Sequence, residues 1–348
     1  MNIKDDNNLS FTFEKNDNRF VIFKGLIYMF FSCILRSLFS IFCKYILMYN
    51  KNITSYHLLT YKVYIMTFID ILVIFYLYIF NYIQFQKINN FSSTSFIFLC
   101  IRSFLSIFVQ TLTILSLKYI KISDVYSIYY LYPGIVILLT NLILKEKVEI
   151  FDYICLLFCF FGVLCVIRPN FNYLFQNIFI LFLILGVLLS AIFKSIEDII
   201  IRYLRNDVFY LLFPIMYSLI GLIFYPTILL INIKKNNEVF LNLNSFEWEI
   251  IILIAIFNFS YQALMAISLK NENAGRASMI NYFQVLFMFI SDIYLFDRKA
   301  IFFDYLGIFI IFGFNLANGI IKSYKRNKLF KIKDNNNDLE ESQKLIEL

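Results

Sequence analysis

Four long stretches of this chain contain no charged residue, and each could cross a lipid bilayer as a helix. They are Val125–Leu144, Pro169–Phe193, Val208–Ile233 and Ile250–Leu269. A helix rises about 1.5 Å per residue, so roughly 20 apolar residues span the ~30 Å hydrocarbon core. Within that core a helix satisfies its own backbone hydrogen bonds. The runs are too continuously apolar for the alternating pattern of a transmembrane barrel.

The composition fits a chain embedded in a membrane. Of its 348 residues, 60% are hydrophobic and 16% are charged, which is more apolar surface than a soluble domain buries. The pattern of apolar segments predicts an all-α membrane protein with ten transmembrane helices. The predicted spans are residues 25–47, 56–83, 95–117, 122–144, 151–168, 177–200, 208–232, 248–269, 276–296 and 302–321.

The net charge of +7 indicates orientation in the membrane rather than nucleic-acid binding, because it lies in tails and short loops. Ten spans place both tails on one side, which carries 18 lysines and arginines, while the other side carries eight. The positive-inside rule assigns the richer side to the cytosol. We therefore expect a cytosolic N-terminal tail (1–24) and a cytosolic, disordered C-terminal tail (322–348).

The sequence also contains an internal repeat. Residues 110–118 and 262–270 share the frame Gln-x5-Ser-Leu-Lys, 152 residues apart. Three further matches occur at offsets between 150 and 152: Ser40–Lys44 with Ser190–Lys194, Phe151–Tyr153 with Phe303–Tyr305, and Glu146 with Asp297. Five spans between the copies would turn the second copy upside down. Inverted five-helix repeats, here 25–168 and 177–321, are typical of secondary transporters.

Residues 102–169 resemble a known repeat. In order they show Arg102, the short turn Tyr119–Asp124, Pro133, Leu144-Lys145-Glu146-Lys147, Asp152, Gly162 and Arg168-Pro169. This segment is similar to the repeat of the drug/metabolite transporter superfamily, in the EamA-like group that includes solute carrier family 35 G-type proteins. A looser second copy runs from Tyr261 through Ala274-Gly275 to Gly313, with Gln284 in place of Pro133.

The resemblance implies ten helices in two inverted repeats, alternating access by rocking of the repeats, and a cavity lined by the fourth and ninth spans. It leaves the substrate open, because members carry many metabolites. The ninth span lacks the Lys-Arg pair typical of triose-phosphate translocators, which disfavours a sugar phosphate. The resemblance does not indicate which cellular membrane holds the protein, because family members occupy plasma, Golgi, vacuole and plastid membranes.

Ionisable residues inside spans are the first candidates for coupling or gating, because they cost a few kcal/mol each to insert. Arg36 and Asp70 reach similar depths, so we hypothesise that they pair, as a structural ion pair or as one broken by substrate or proton. Three further charges, Lys194, Glu197 and Asp198, share one helix face. They form either a satisfied structural cluster or a gate. Arg102 either snorkels to headgroups or holds an anionic group. Asp292 is a further buried charge.

A polar stripe on the fourth and ninth spans is the best substrate-facing prediction. Tyr126, Tyr129 and Tyr130 lie on one helix face with Pro133, whose ring frees a backbone carbonyl. Ordinary packing is the alternative for tyrosines in a chain with 25 of them. The candidates for substrate binding are Tyr126, Tyr129, Tyr130, Asn281, Tyr282, Gln284, Gln110, Gln262 and Arg102.

Enzymatic activity is not expected. The chain has no phosphate-binding loop, and its one histidine, His57, lies at a span entrance, which excludes a Ser-His-Asp set and a His-rich metal site. We expect a secondary transporter in the lipid bilayer that moves a small polar solute. Its transport is coupled to a proton or a counter-substrate. We expect it to bind no cofactor and no nucleic acid. A homodimer is compatible with the sequence. A non-transporting scaffold or regulator is the alternative function.

Overall fold

The computed structural model of the chain describes residues 6–80, 92–120, 122–145, 149–167, 178–236, 243–295, 299–314, 316–318 and 321. All regular elements in these ranges are helices, which confirms the predicted all-α class. In chain order they are α1 (Asp6–Tyr49), α2 (Ser55–Phe80), α3 (Ser93–Tyr119), α4 (Ile122–Tyr129), α5 (Tyr132–Leu142), α6 (Ile150–Ile167), α7 (Ile178–Tyr203), α8 (Leu212–Asn236), α9 (Ser245–Asn271), α10 (Ala274–Ile280), α11 (Phe283–Leu295) and α12 (Phe302–Asn318).

Seven helical stretches of the described residues are long and apolar enough to cross a membrane. They are Lys24–Tyr49, α2, α3, α7, Leu212–Ile231, α9 and Ala274–Leu295. Shorter apolar helices fall on the other three predicted spans, so ten crossings stay a prediction. Helix α1 begins at Asp6 and therefore includes most of the predicted N-terminal tail. The predicted C-terminal tail, 322–348, lies outside the described residues.

Large apolar side chains cover the outside of the helices. Phe68, Ile223 and Phe309 are 61%, 72% and 78% exposed, and many more leucines, isoleucines and phenylalanines are exposed beside them. Such a continuous apolar surface is suited to acyl chains and not to water. Trp248, the only tryptophan, is exposed in the first turn of α9, the kind of interfacial position that amphipathic rings prefer. The chain is thus a multi-pass integral membrane protein.

The helices pack mainly across the two halves of the chain. Helix α1 packs against α9, α3 packs against α7, and α2 packs against α8. Helix α1 also contacts α10 and α11, whereas α7 contacts α4 and α5. We call α1, α9, α10 and α11 the first bundle, and α7, α3, α4 and α5 the second bundle. Each bundle therefore contains helices from both halves.

Two predicted spans are broken rather than continuous. The fourth is interrupted at Tyr130–Leu131, between α4 and α5, and the ninth at Asn281–Tyr282, between α10 and α11. Pro133 lies in the first turn of α5, where its missing N–H costs no intrahelical hydrogen bond. The second break comes 151 residues later at the equivalent position, where the chain has Gln284 and no proline. The break is therefore a property of both copies and not of Pro133 alone.

One repeated motif marks the beginning of a helix. The carboxylate Oδ2 of Asp152 accepts a hydrogen bond from the backbone N–H of Glu149 at 3.0 Å. The carboxylate Oδ2 of Asp304 accepts one from the backbone N–H of Ile301 at 2.8 Å. An acidic side chain here satisfies an otherwise unpaired N–H and complements the helix dipole. The other predicted match, Glu146 with Asp297, lies outside the described residues, as does Arg168-Pro169.

The Gln-x5-Ser-Leu-Lys frame marks the ends of α3 and α9. Lys44 of α1 donates to the carbonyl oxygens of Leu117 and, at 3.3 Å, of Ile120. Arg202 of α7 donates to the carbonyl oxygen of Leu269, at the same frame position, at 3.1 Å. A cation favours the negative end of a helix dipole. In both copies a helix of the other bundle therefore supplies the cation that caps this end.

Close packing between α6 and α12 yields a stability prediction. A Cβ atom on Gly162 would lie 2.8 Å from both the Gly307 carbonyl oxygen and Ile311 Cγ1. We expect Gly162→Ala to lower the free energy of unfolding by about 1–3 kcal/mol, because backbone must move to accept the methyl group. Gly313→Ala is the matched control, since nothing lies within 4 Å of its Cβ. Sodium dodecyl sulfate titrations monitored by circular dichroism measure both; equal stability of the two variants contradicts the close contact.

Candidate functional site

A cluster of tyrosines surrounds Arg36 in the interior of the helices. The Arg36 guanidinium carbon lies 5.0 Å from the ring centroid of Tyr129, 5.9 Å from that of Tyr132 and 5.5 Å from that of Tyr261. Arg36 also donates a hydrogen bond to the Tyr129 hydroxyl. The ring faces attract the cation, and its position near the middle of the Lys24–Tyr49 stretch of α1 places it beside the break between α4 and α5.

The predicted polar stripe is buried at the two helix breaks. Cys33 Sγ and Gln284 Nε2 both donate to Asn281 Oδ1, each at 3.2 Å. Tyr130 donates its hydroxyl to Gln284 Oε1 at 3.4 Å, and its ring centroid is 6.5 Å from that of Tyr282. The two breaks therefore face each other, with α1 beside them. Tyr126 lies at the edge of the cluster, where its hydroxyl donates to Ser40 Oγ at 2.5 Å.

A second polar network surrounds Lys62, which is fully buried on α2. Its ammonium donates to Gln110 Oε1 at 2.5 Å and to the Tyr217 hydroxyl at 2.7 Å. The rings of Phe39, Tyr217 and Tyr225 lie 5.1–5.6 Å from its nitrogen. Among the described residues no carboxylate pairs with this ammonium. Hydrogen-bond acceptors and ring faces alone stabilise a charge that burial makes costly.

The repeat-related glutamines meet in this network. Gln110 Nε2 donates to Asn258 Oδ1 at 3.2 Å, and Gln262 Nε2 donates to the same oxygen at 3.1 Å. Gln110 Nε2 also donates to the Tyr261 hydroxyl at 3.0 Å. Because the Tyr261 ring lies under Arg36, this residue connects the Lys62 network to the tyrosine cluster. The interior thus holds one connected polar region that α1, α2, α3, α4, α8, α9 and α11 share.

Lys194, Glu197 and Asp198 form a buried ion triad on α7. The Lys194 ammonium lies 3.1 Å from Glu197 Oε2 and 2.8 Å from Asp198 Oδ1, as the i, i+3 and i+4 spacing predicts. Arg102 of α3 is also fully buried and donates to the Phe213 carbonyl oxygen at 2.9 Å. Its guanidinium therefore does not reach towards headgroups, which excludes the snorkelling interpretation. Asp292 is buried on α11.

The predicted pairing of Arg36 with Asp70 is wrong. Asp70 accepts a hydrogen bond from Ser218 of α8, and its other carboxylate oxygen, Oδ1, has no partner in the described structure. Arg36 points instead to the tyrosines of α4 and α5. Similar depth in the bilayer did not imply contact, because α1 packs chiefly on α9 while α2 packs chiefly on α8. Both residues remain buried in the interior.

Sequence reasoning missed several residues of this polar region. Lys62, Tyr217, Asn258 and Tyr261 are all buried there, as is Tyr132, whose hydroxyl has no partner among the residues that the structure describes. Lys62 had a detectable signal, since it is a charged residue inside a predicted span. The tyrosines had none that separates them from the chain's many other tyrosines.

The helices enclose a connected polar interior between two mixed bundles. This is the architecture of multi-pass transporters. A model of the EamA-like transporter family matches residues 23–168 and again residues 181–316, so this chain belongs to the EamA-like transporter family. The two matches correspond closely to the two predicted repeats.

Similar proteins include two from Saccharomyces cerevisiae. "Probable transport protein YPL264C" is 27% identical over 221 residues, covering 56% of this chain and 60% of the relative. "Uncharacterized membrane protein YMR253C" is 24% identical over 222 residues, covering 58% and 51%. The match thus spans about half to three fifths of the length of these curated relatives. One crystal structure superposes with a TM-score of 0.64 at 10% identity, over 83% of this chain and 96% of the other, which shows the fold alone.

Proposed function

We propose that this protein is a secondary active transporter that moves a small polar metabolite by alternating access. It has ten membrane spans in two inverted five-helix repeats, 25–168 and 177–321, with cytosolic tails at 1–24 and 322–348. A proton or a counter-substrate supplies the coupling, and no cofactor is involved. Family membership and the name of the yeast relative YPL264C support transport in general, while the residues of the interior support this particular mechanism.

One observation carries the proposal: the polar interior lies where two related bundles meet. A scaffold gains nothing from burying Arg36 and Lys62 in the centre of a membrane protein, because each buried charge costs several kcal/mol. A transporter needs such groups around its solute. The expected locations of a substrate site are the predicted residues Tyr129, Tyr130 and Asn281, together with Gln284, Gln110 and Gln262. Tyr126 and Tyr282 extend the same surface.

The helix packing supports inverted repeats. If the halves are equivalent, α1 corresponds to α7, α3 to α9, α2 to α8, and the pair α4–α5 to α10–α11. The contact between α1 and α9 then corresponds to that between α7 and α3, and the contact of α2 with α9 to that of α8 with α3. The contacts of α1 with α10 and α11 likewise correspond to those of α7 with α4 and α5. This reciprocity is expected from a pseudo-twofold axis in the membrane plane.

The same packing changes the proposed motion. Rocking of the two sequence repeats as rigid units would separate α1 from α9 and α3 from α7, the largest contacts in the protein. The rigid units are instead the two mixed bundles. The two bundles contact each other where α5 meets α10, where α1 meets α3 and where α7 meets α9, so the access gates lie at these contacts. Lys194, Glu197 and Asp198 lie on α7, inside the second bundle, which suits a role in coupling within a moving unit.

Counterflow in proteoliposomes tests the transport function. Vesicles containing the full chain are loaded with one unlabelled metabolite class each, and uptake of the same labelled metabolite is measured. We expect transient accumulation of at least one polar class above protein-free vesicles. Absence of counterflow for every class, with folded protein confirmed by circular dichroism, contradicts the proposal and favours a scaffold.

A cross-link between the bundles tests the motion. The Cβ position of Gly275 on α10 lies 3.9 Å from Ile137 Cα on α5. Because Gly275 Cα is only one bond further away, the two Cα atoms are close enough for a disulfide. We expect oxidised Gly275→Cys/Ile137→Cys to lose at least about 90% of counterflow and to regain it on reduction, because the gate between the bundles cannot open. Each single-cysteine variant is the control for oxidation of the six native cysteines. Unchanged counterflow in the cross-linked protein excludes movement at this contact.

A further inference from the structure

Three residues with unused hydrogen-bond donors lie at the helix breaks. Arg36 is buried with 9% of its surface exposed, and among the described residues it donates only to Tyr129, which leaves most of its five N–H groups unbonded. The Tyr132 hydroxyl and the Asn281 Nδ2 amide have no partner either. Buried polar groups are nearly always hydrogen-bonded, so each exception needs an explanation.

These donors lie on neighbouring elements: α1, the first residue of α5 and the break between α10 and α11. The Tyr132 ring lies 5.9 Å from the guanidinium carbon of Arg36. Cys33, one helical turn before Arg36 on α1, donates to Asn281 Oδ1 at 3.2 Å. Gln284 donates to the same oxygen, also at 3.2 Å. Two donors therefore fix the carboxamide of Asn281 so that its Nδ2 group, a donor, is the part left without a partner.

The chemistry of the three groups selects an anion. All three can donate, Arg36 carries a full positive charge, and no described carboxylate forms an ion pair with it. Asp70 accepts from Ser218, while Glu197 and Asp198 each place one oxygen on Lys194. A guanidinium fork matches a carboxylate or phosphate in two parallel hydrogen bonds. A cationic amine would instead need the tyrosine ring faces that Arg36 already occupies.

We propose that the solute carries a carboxylate or phosphate group, which binds to Arg36 through two N–H groups and accepts further hydrogen bonds from the Tyr132 hydroxyl and Asn281 Nδ2. The site lies between α1 and the two broken helices, where both bundles contribute. The inference rests on the proposed transport function for its biological meaning, but binding can be measured without transport.

Equilibrium binding to the full chain tests the proposal. The protein is held in phosphatidylcholine nanodiscs, and its unfolding midpoint is followed with succinate or inorganic phosphate as probes at constant ionic strength. Tetramethylammonium and glycerol are the cationic and neutral controls. We expect at least one oxyanion to raise the midpoint and the controls to leave it unchanged. A response to succinate alone assigns a carboxylate, a response to phosphate alone assigns a phosphate, and no oxyanion response overturns the proposal.

Variants separate binding from structure. We expect Arg36→Gln to weaken binding about 100-fold and Tyr132→Phe about tenfold, as the loss of charged and neutral hydrogen bonds implies. Tyr132→Phe removes a hydroxyl without a partner, so its ligand-free midpoint stays at the wild-type value. Where Arg36→Gln does not fold, Arg36→Lys keeps the charge, loses the paired geometry and binds about tenfold more weakly.

The matched control for charge is Arg276→Gln, because Arg276 pairs with Glu272 at 2.8 Å and is 24% exposed. It keeps wild-type affinity. Full affinity in Arg36→Gln, or a midpoint raised by tetramethylammonium, overturns the proposal. Oxyanion binding without counterflow of any solute would support this site and contradict the transport function. Counterflow that persists in Arg36→Gln would support the transport function and contradict this site.

Discussion

Replacing Lys194 with methionine lowers the free energy of unfolding by about 3–5 kcal/mol, because it leaves Glu197 and Asp198 as adjacent buried carboxylates without their shared cation. Both carboxylates are at most 3% exposed, and both lie within 3.1 Å of the ammonium. The remaining like charges repel each other on one helix face. Sodium dodecyl sulfate titration in mixed micelles measures the loss.

Two matched variants interpret that result. The triple variant Lys194→Met/Glu197→Gln/Asp198→Asn removes the uncompensated charges and recovers most of the stability. Arg276→Met breaks a pair with the same i, i+4 spacing at a partly exposed position, so we expect a loss below about 1 kcal/mol. Equal losses for Lys194→Met and Arg276→Met would show that the triad is not a desolvated ion cluster.

Replacing Lys62 with methionine reduces counterflow at least tenfold while the free energy of unfolding changes by less than about 1 kcal/mol. The variant loses two hydrogen bonds from the ammonium, but it also removes a buried cation that no described carboxylate neutralises. Tyr217 still donates to Gln110 Oε1 at 2.7 Å, so the network closes without Lys62. Function and stability therefore separate at this residue.

Lys44→Met provides the opposite case. Lys44 caps the end of α3 through backbone carbonyl oxygens and takes no part in the polar interior. We expect it to lose about 0.5–2 kcal/mol of stability and to keep wild-type counterflow per folded molecule. A Lys62→Met variant that loses several kcal/mol and keeps its counterflow per folded molecule would assign Lys62 to structure and not to transport.

The helices were predictable because the bilayer constrains them simply. A segment without charges that is long enough to span must satisfy its backbone as a helix, and this local condition does not depend on neighbours. The ion triad was predictable for a similar reason, since residues at i, i+3 and i+4 meet on any helix. The repeated Asp152 and Asp304 likewise act within the first turn of their own helices.

The contacts of Arg36 were not predictable, because they depend on which helices are neighbours. Arg36 and Asp70 have similar depth, yet α1 and α2 pack on different partners and the two side chains do not meet. The second helix break, at Asn281–Tyr282, has no nearby proline from which it could have been predicted. Lys62 lies about 10 Å inside its span, at 1.5 Å per residue, and distance along a helix does not distinguish burial from snorkelling.

By itself, the sequence determined the helical class, the seven long membrane-crossing helices and the charges inside them, because each depends on hydrophobicity and spacing along one segment. Only the tertiary structure decided that helices of both halves mix into two bundles. It also decided that Arg36, Tyr132 and Asn281 lie at the helix breaks with unused hydrogen-bond donors. Burial among neighbours, and not position along the chain, sets the cost of an unpartnered polar group, so the candidate site exists only once the helices are packed.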